Sequence, residues 1–149
     1  MNKTSSQSIK LKLLTPLKKL LETECFEVYF PSSQGQLGIY SGHADLVCKL
    51  GTGMMRYLKN DVYYFLVISE GFAEVSKGNS VTLLADIAED ALKIDPTRAE
   101  QALQRARQRL SGNHMDEDQI DINRASLAEF KAIARITAFS QLKSGKGNW

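Results

Sequence analysis

Ile94-Asp95-Pro96-Thr97-Arg98-Ala99 is the stretch at which the chain changes its period. Upstream of it, apolar residues alternate in short runs cut by glycine; downstream, alanine, leucine and arginine recur at helical spacing. The stretch is itself a helix start. Asp95 as N-cap offers a carboxylate to the first free backbone N–H groups, and Pro96 occupies the first helical position, where its missing N–H costs nothing. A β-domain therefore carries a helical arm.

Working upstream, Ile9, Leu11 and Leu13 share one face of a strand with Lys10 and Lys12 on the other, until Pro16 ends it. Glu24 to Phe30 reads as one strand with Phe26, Val28 and Phe30 facing one way and Cys25, Glu27 and Tyr29 the other, stopped by Pro31. Short strands are expected over 37–40, 46–50 and 54–58, and then a meander over 61–69, 72–75 and 80–85 whose last turn is Lys77-Gly78-Asn79. Such closely set turn signals predict an antiparallel β-sandwich or barrel.

Downstream, Ala99, Ala102, Leu103, Ala106 and Leu110 form one helical stripe, ended by Ser111-Gly112-Asn113. A second helix is expected to start at Asp121 and run from Ile122 toward Leu142, with Ala125, Ala128, Ala132, Ile136 and Phe139 on its apolar face. The organisation is then a disordered leader over 1–8, a sandwich over 9–93, an antiparallel αα-hairpin over 94–142 and a flexible tail over 143–149. Alanine seams let the helices approach closely but bury little area, so the hairpin is held by only a few kcal/mol, at about 25 cal/mol per Å² less the ordering cost. A marginal arm suits a switch.

Composition narrows the function classes. A chain of 149 residues supports one ordinary core. A net charge of +2 does not argue for nucleic acid, and Lys10, Lys12, Lys18 and Lys19 fall on a strand's solvent side and its following turn, where they discourage edge pairing. No apolar run approaches the roughly 18 residues of a membrane span, so any membrane association goes through partners without direct insertion. Cys25 and Cys48 lack metal-type spacing and suit a reducing compartment as small buried hydrophobes. On an extended strand His43 and Asp45 would share a face that Cys48 does not, so His43 reads as a structural or interface residue and no metal is expected. His114, beside Asp116 and Glu117, reads as a solvated interhelix loop. The chain carries no nucleophile elbow or phosphate-cradling glycine loop, and Lys143-Ser144-Gly145-Lys146-Gly147 follows a helix instead of opening one.

The stretch Gly35-Gln36-Leu37-Gly38-Ile39-Tyr40-Ser41-Gly42-His43-Ala44 resembles the signature loop of the epsilon subunit of F-type rotary ATP synthases. Ser69-Glu70-Gly71-Phe72-Ala73-Glu74-Val75 is similar to that family's glycine-centred strand turn, Val81-Thr82-Leu83-Leu84-Ala85-Asp86 to its final sandwich strand, and Ile94-Asp95 with Arg98-Ala99 to its helix start. The resemblance implies a noncatalytic rotor subunit on the cytoplasmic face of the bacterial inner membrane. Its sandwich would contact the gamma shaft and the ring of c subunits, and its hairpin would restrain hydrolysis by reaching the alpha/beta catalytic head when extended. It also implies partner contacts at Gln36, Ser41, Gly42 and His43, and ATP as a regulatory ligand, with no obligatory cofactor. Carried over by motif, the nucleotide residues are Glu89, Asp95, Arg98, Arg105, Lys131 and Arg135. Gln34, Gln36 and Ser41 depart from the family's pattern of acidic residues and a proline, and Lys131 replaces an arginine, losing the bidentate fork to phosphate. Two other readings of the residues are a free-standing nucleotide-sensing module and a cupin-like enzyme centred on His43.

Overall fold

A computed structural model describes residues 7–112 and 119–144, with eight strands before the joint and two helices after it. The strands are β1 (Ile9–Leu14), β2 (Lys19–Cys25), β3 (Glu27–Ser32), β4 (Gly35–Tyr40), β5 (Leu46–Lys49), β6 (Gly53–Lys59), β7 (Val62–Ser76) and β8 (Ser80–Asp90). They form one sheet in the order β2-β1-β8-β7-β6-β3-β4, with β5 also paired to β7. The sandwich comes from folding that sheet on itself. The first half of β7 pairs with β6 and the second half with β5, while β8 follows β7 through both. The fold point is Glu70-Gly71, where consecutive residues take φ of 55° and 120°. All pairings are antiparallel except β1 with β8, a parallel pair made possible by the long crossover through the other strands.

The core lies between the layers. Ile9, Leu11 and Leu13 are fully buried, as their alternation requires, and pack in one cluster with Val75, Val81 and Leu83 from their own layer and Val28, Phe30, Ile39, Met55 and Ile68 from the other.

Three strand expectations are corrected. Glu24 to Phe30 is two strands, because the Phe26 N–H donates to the Leu58 carbonyl and bends the chain from its pairing with β1 to its pairing with β6. The bend shifts the alternation, so Phe26 is 45% exposed, with its ring edge against Tyr40, while Cys25 and Glu27 are buried. Lys19 opens β2 instead of lying in a turn; a register irregularity between Leu13 and Leu14 blurs the period in this hairpin. The segments expected at 61–69 and 72–75 are the two halves of the single β7, and β8 runs on to Asp90.

A polar cluster that periodicity could not reveal sits on β3, β4, β6 and β7. The Tyr63 hydroxyl donates to the buried Glu27 carboxylate, the Tyr29 and Tyr40 hydroxyls bond each other, and the Arg56 guanidinium lies 4.3 Å and 5.0 Å from the Tyr29 and Tyr63 ring centres. Both distances are within cation–π range, so the two rings help to hold the charge in place.

After a 3₁₀ turn at Ala91–Lys93 come α1 (Pro96–Ser111) and α2 (Gln119–Ser144), whose start precedes the expected Asp121. The Asp95 carboxylate accepts from the backbone N–H groups of Thr97 and Arg98 at 3.0 Å and 3.3 Å, the capping read from the sequence. Asp95→Ala is expected to cost about 1 kcal/mol of helix stability, measured as lost helical circular dichroism and a lower melting midpoint. α1 packs on α2, and α2 packs on β6, β7 and the 3₁₀ turn. Ala99, Ala106, Ala125 and Ala132 are buried as expected, whereas Leu110 stays 37% exposed. The reading of one apolar face on α2 is incomplete: Ala134 and Ala138 form a second buried face against Phe65, Val67, Ala91 and Ile94. Residues 1–6 of the expected leader, the loop with His114, and 145–149 of the tail lie outside the described residues.

Candidate functional site

The end of β8, the 3₁₀ turn, α1 and α2 enclose a cavity of about 390 Å³ lined by Glu89, Lys93, Asp95, Arg98, Arg105 and Arg135 over Ile94, Ala99 and Ala102. Arg98 and Arg105 stand two helical turns apart on one face of α1, and the small side chains between them leave the space. From α2, Arg135 grips Glu89 in a fork, Nη2 donating to Oε1 at 2.6 Å and Nε donating to Oε2 at 2.8 Å. Those hydrogen bonds, opposed in part by burial, hold the Glu89 carboxyl below the usual carboxylate range, and the same contact raises Arg135. Both carboxylates of the cavity are thus engaged, Glu89 on Arg135 and Asp95 on the helix N-terminus. Among the described residues no ion pair engages Lys93, Arg98 or Arg105. The walls therefore suit an anion that can accept several charge-assisted hydrogen bonds.

The structure brings together Glu89, Asp95, Arg98, Arg105 and Arg135, five of the residues read from the sequence. Lys131 does not line the cavity; it lies near enough to Glu89 to help depress that carboxyl. Arg109 and Arg124, which share the helical sectors, also lie off the lining. Sequence reasoning missed Lys93, whose signal was its place two residues before the Asp95 cap. It missed as well the cross-helix pair of Arg107 Nε with Glu129 Oε1 at 3.2 Å.

The other set of predicted residues does not form one cluster. Gln36 pairs opposite Pro31 near one end of β4, and Ser41, Gly42 and His43 lie beyond the other end, about 15 Å away along the strand. The Ser41–Asp45 loop rests on the β7–β8 turn: the Gly42 N–H donates to the Gly78 carbonyl, and the Lys77 N–H donates to Asp45 Oδ1 at 3.0 Å. His43 Nδ1 donates to the Ala44 carbonyl at 2.7 Å. Among the described residues no group of three or more His, Cys, Asp or Glu side chains gathers. Cys25 is buried and Cys48 half-buried, both as free thiols, and burial pushes the Cys25 thiol up to about 11. Phe72 and Leu84, each about half exposed, edge an open groove with Leu14, Pro16 and Leu50 on the layer built from β1, β5 and the adjoining halves of β7 and β8. No helix among the described residues is long and apolar enough to cross a membrane.

A sandwich that carries a helical hairpin folded back on its own sheet, with a basic cavity at the joint, defines a class of small two-part chains. Residues 8–91 match the family model of the ATP synthase Delta/Epsilon chain beta-sandwich domain, and residues 93–140 match that of its long alpha-helix domain. The chain belongs to the ATP synthase delta/epsilon family. It is 40% identical over 129 residues to the ATP synthase epsilon chain of Desulforamulus reducens, covering 87% of this chain and 95% of the relative. It is 35% identical to the chloroplastic epsilon chain of Pyropia yezoensis, covering 88% and 95%. A chain of the Euglena gracilis mitochondrial ATP synthase shares the fold with a TM-score of 0.78 at 22% identity, over 88% of this chain and 81% of that one. One from the central stalk and c-ring of the Tetrahymena thermophila enzyme gives 0.59 at 18% identity, over 91% and 99%.

Proposed function

We propose that the chain works as the noncatalytic epsilon subunit of a rotary ATP synthase on the cytoplasmic face of a bacterial inner membrane. In this reading the sandwich couples the gamma shaft to the ring of c subunits, and the hairpin regulates ATP hydrolysis. The observation that carries the regulatory part is the hairpin's thin attachment. α2 meets the sandwich through the buried alanines Ala134 and Ala138, through Phe139 and Leu142, which are only partly buried there, and through the Glu89–Arg135 fork, so a modest free energy can release it toward the alpha/beta head. The exposed apolar groove edged by Phe72 and Leu84 supports a protein contact on the sandwich, as for the gamma shaft, and the Ser41–His43 loop offers a second, polar surface, as for the ring.

ATP enters as a regulatory ligand of the docked posture. Its phosphates would be taken by Arg98 and Arg105, while Arg135 stays on Glu89. At one hundred times its dissociation constant, a ligand specific to one posture stabilises it by about 2.7 kcal/mol, comparable with what holds a marginal hairpin. The basic cavity also favours a second reading, a free-standing nucleotide sensor. Copurification separates them: a stoichiometric complex with a shaft subunit supports the first, and a monomer with tight ATP binding the second.

The deciding experiment removes the residues after Ile94 and compares ATP hydrolysis of the assembled synthase. A severalfold rise is expected. Hydrolysis unchanged in complexes of normal composition would leave the chain a coupling piece without a regulatory arm.

A further inference from the structure

The geometry points to Lys93 as the lysine that binds the nucleotide phosphates in this chain, in place of Lys131. This rests on the nucleotide reading above and adds a residue to it. Lys93 closes the 3₁₀ turn Ala91–Lys93 and lines the cavity with Arg98 and Arg105, whereas Lys131 is absent from the lining. The backbone fixes the position. The Asp90 carboxylate accepts from the Leu92 N–H at 2.9 Å and the Ile94 N–H donates to the Ala91 carbonyl at 3.3 Å, so the turn is anchored on both sides of Lys93. Ala91 and Ile94 are buried beneath α2, and Leu92 points out, 74% exposed.

The charges facing Lys93 come from every element of the cavity: Glu89 on β8, Asp95 at the joint, Arg98 and Arg105 on α1, and Arg135 on α2. Glu89 is held by Arg135 and Asp95 by backbone N–H groups, so neither is committed to Lys93. An ammonium on a flexible stem is a movable point charge with three donors, which completes a phosphate site that two arginines have framed. Lys131, off the cavity lining, adds positive potential at Glu89.

Isothermal titration of the isolated full-length chain with ATP tests the assignment. Lys93→Ala is expected to weaken binding about tenfold, the scale of one charge-assisted hydrogen bond, and Lys93→Arg to restore most of it. Lys131→Ala is expected to change affinity by less than about threefold, in keeping with an indirect charge. The melting midpoint of ligand-free Lys93→Ala should match the parent, which separates ligand contact from a structural role. ATP binding that is lost in Lys131→Ala and kept in Lys93→Ala overturns the assignment alone. A parent chain that binds no ATP overturns the nucleotide reading and this assignment with it.

Discussion

Gly71→Ala is expected to destabilise the chain by roughly 3–5 kcal/mol, a large part of the stability of a domain this size. A Cβ placed on Gly71 would lie 1.9 Å from the Leu84 carbonyl oxygen, and the residue holds φ at +120°, where L side chains are strained. The neighbour is backbone in β8, so no side chain can swing away. Relief requires parting β7 from β8 at the point where the sheet folds between its layers, which is also where Glu70 takes a positive φ. Gly35→Ala is the control, with a similar φ of +123° and nothing within 4 Å of the added atom. It should cost about 1 kcal/mol, the conformational part alone. Urea denaturation of both variants followed by circular dichroism measures the difference; a Gly71→Ala loss no larger than that of Gly35→Ala would mean that the fold point yields without parting the strands.

Arg135→Ala comes second in size and acts on the arm. It removes both hydrogen bonds of the fork and leaves the Glu89 carboxylate, about a third exposed, beside the cavity without its partner. The expected loss of docking stability is about 1–2 kcal/mol, between the values for exposed and buried ion pairs. Amides of α2 should exchange roughly five- to thirtyfold faster, while those of the sandwich core keep the parent's rates. Uniform protection in parent and variant would show that the apolar seam of Ala134, Ala138, Phe139 and Leu142 holds the hairpin without the fork. The same fork sets an acid dependence. The docked Glu89 carboxyl titrates below its ordinary value of 4.5, chiefly because Arg135 donates to it. A carboxyl with a lowered folded-state pKa stabilises fully above its unfolded pKa and loses that contribution as the pH falls through the folded one. Docking should therefore be constant near neutrality and weaken below about pH 4.5, and melts of parent and Arg135→Ala should converge as the pH falls through that range.

The helical half was more legible than the sheet. Asp95 and Pro96 act locally, since capping involves only atoms within a few residues, and α1 begins where they direct. The alanine stripe of Ala99 and Ala106 likewise follows from a period of 3.6. The break at Phe26 was not legible, because alternation runs through it and only the hydrogen bond to Leu58 in a distant strand turns the chain there. The second face of α2 escaped for a related reason: Ala134 and Ala138 look like any helical alanines until the Phe65 and Val67 side of the sheet is present to bury them. In the cavity, helical spacing placed Arg98 and Arg105 together, but spacing cannot tell which of Lys93 and Lys131 reaches the same space.

By itself, the sequence determined the two-part organisation, the position of the joint, the capped start of α1 and the family, because each depends on periodicity, local hydrogen bonding or a contiguous motif. Only the tertiary structure decided that one sheet folds at Gly71 to make both layers, that Arg135 closes on Glu89 across 46 residues of chain, and that Lys93 and not Lys131 faces the cavity. Those outcomes depend on contacts between segments far apart in the chain, whose free energies exist only once the elements are packed together.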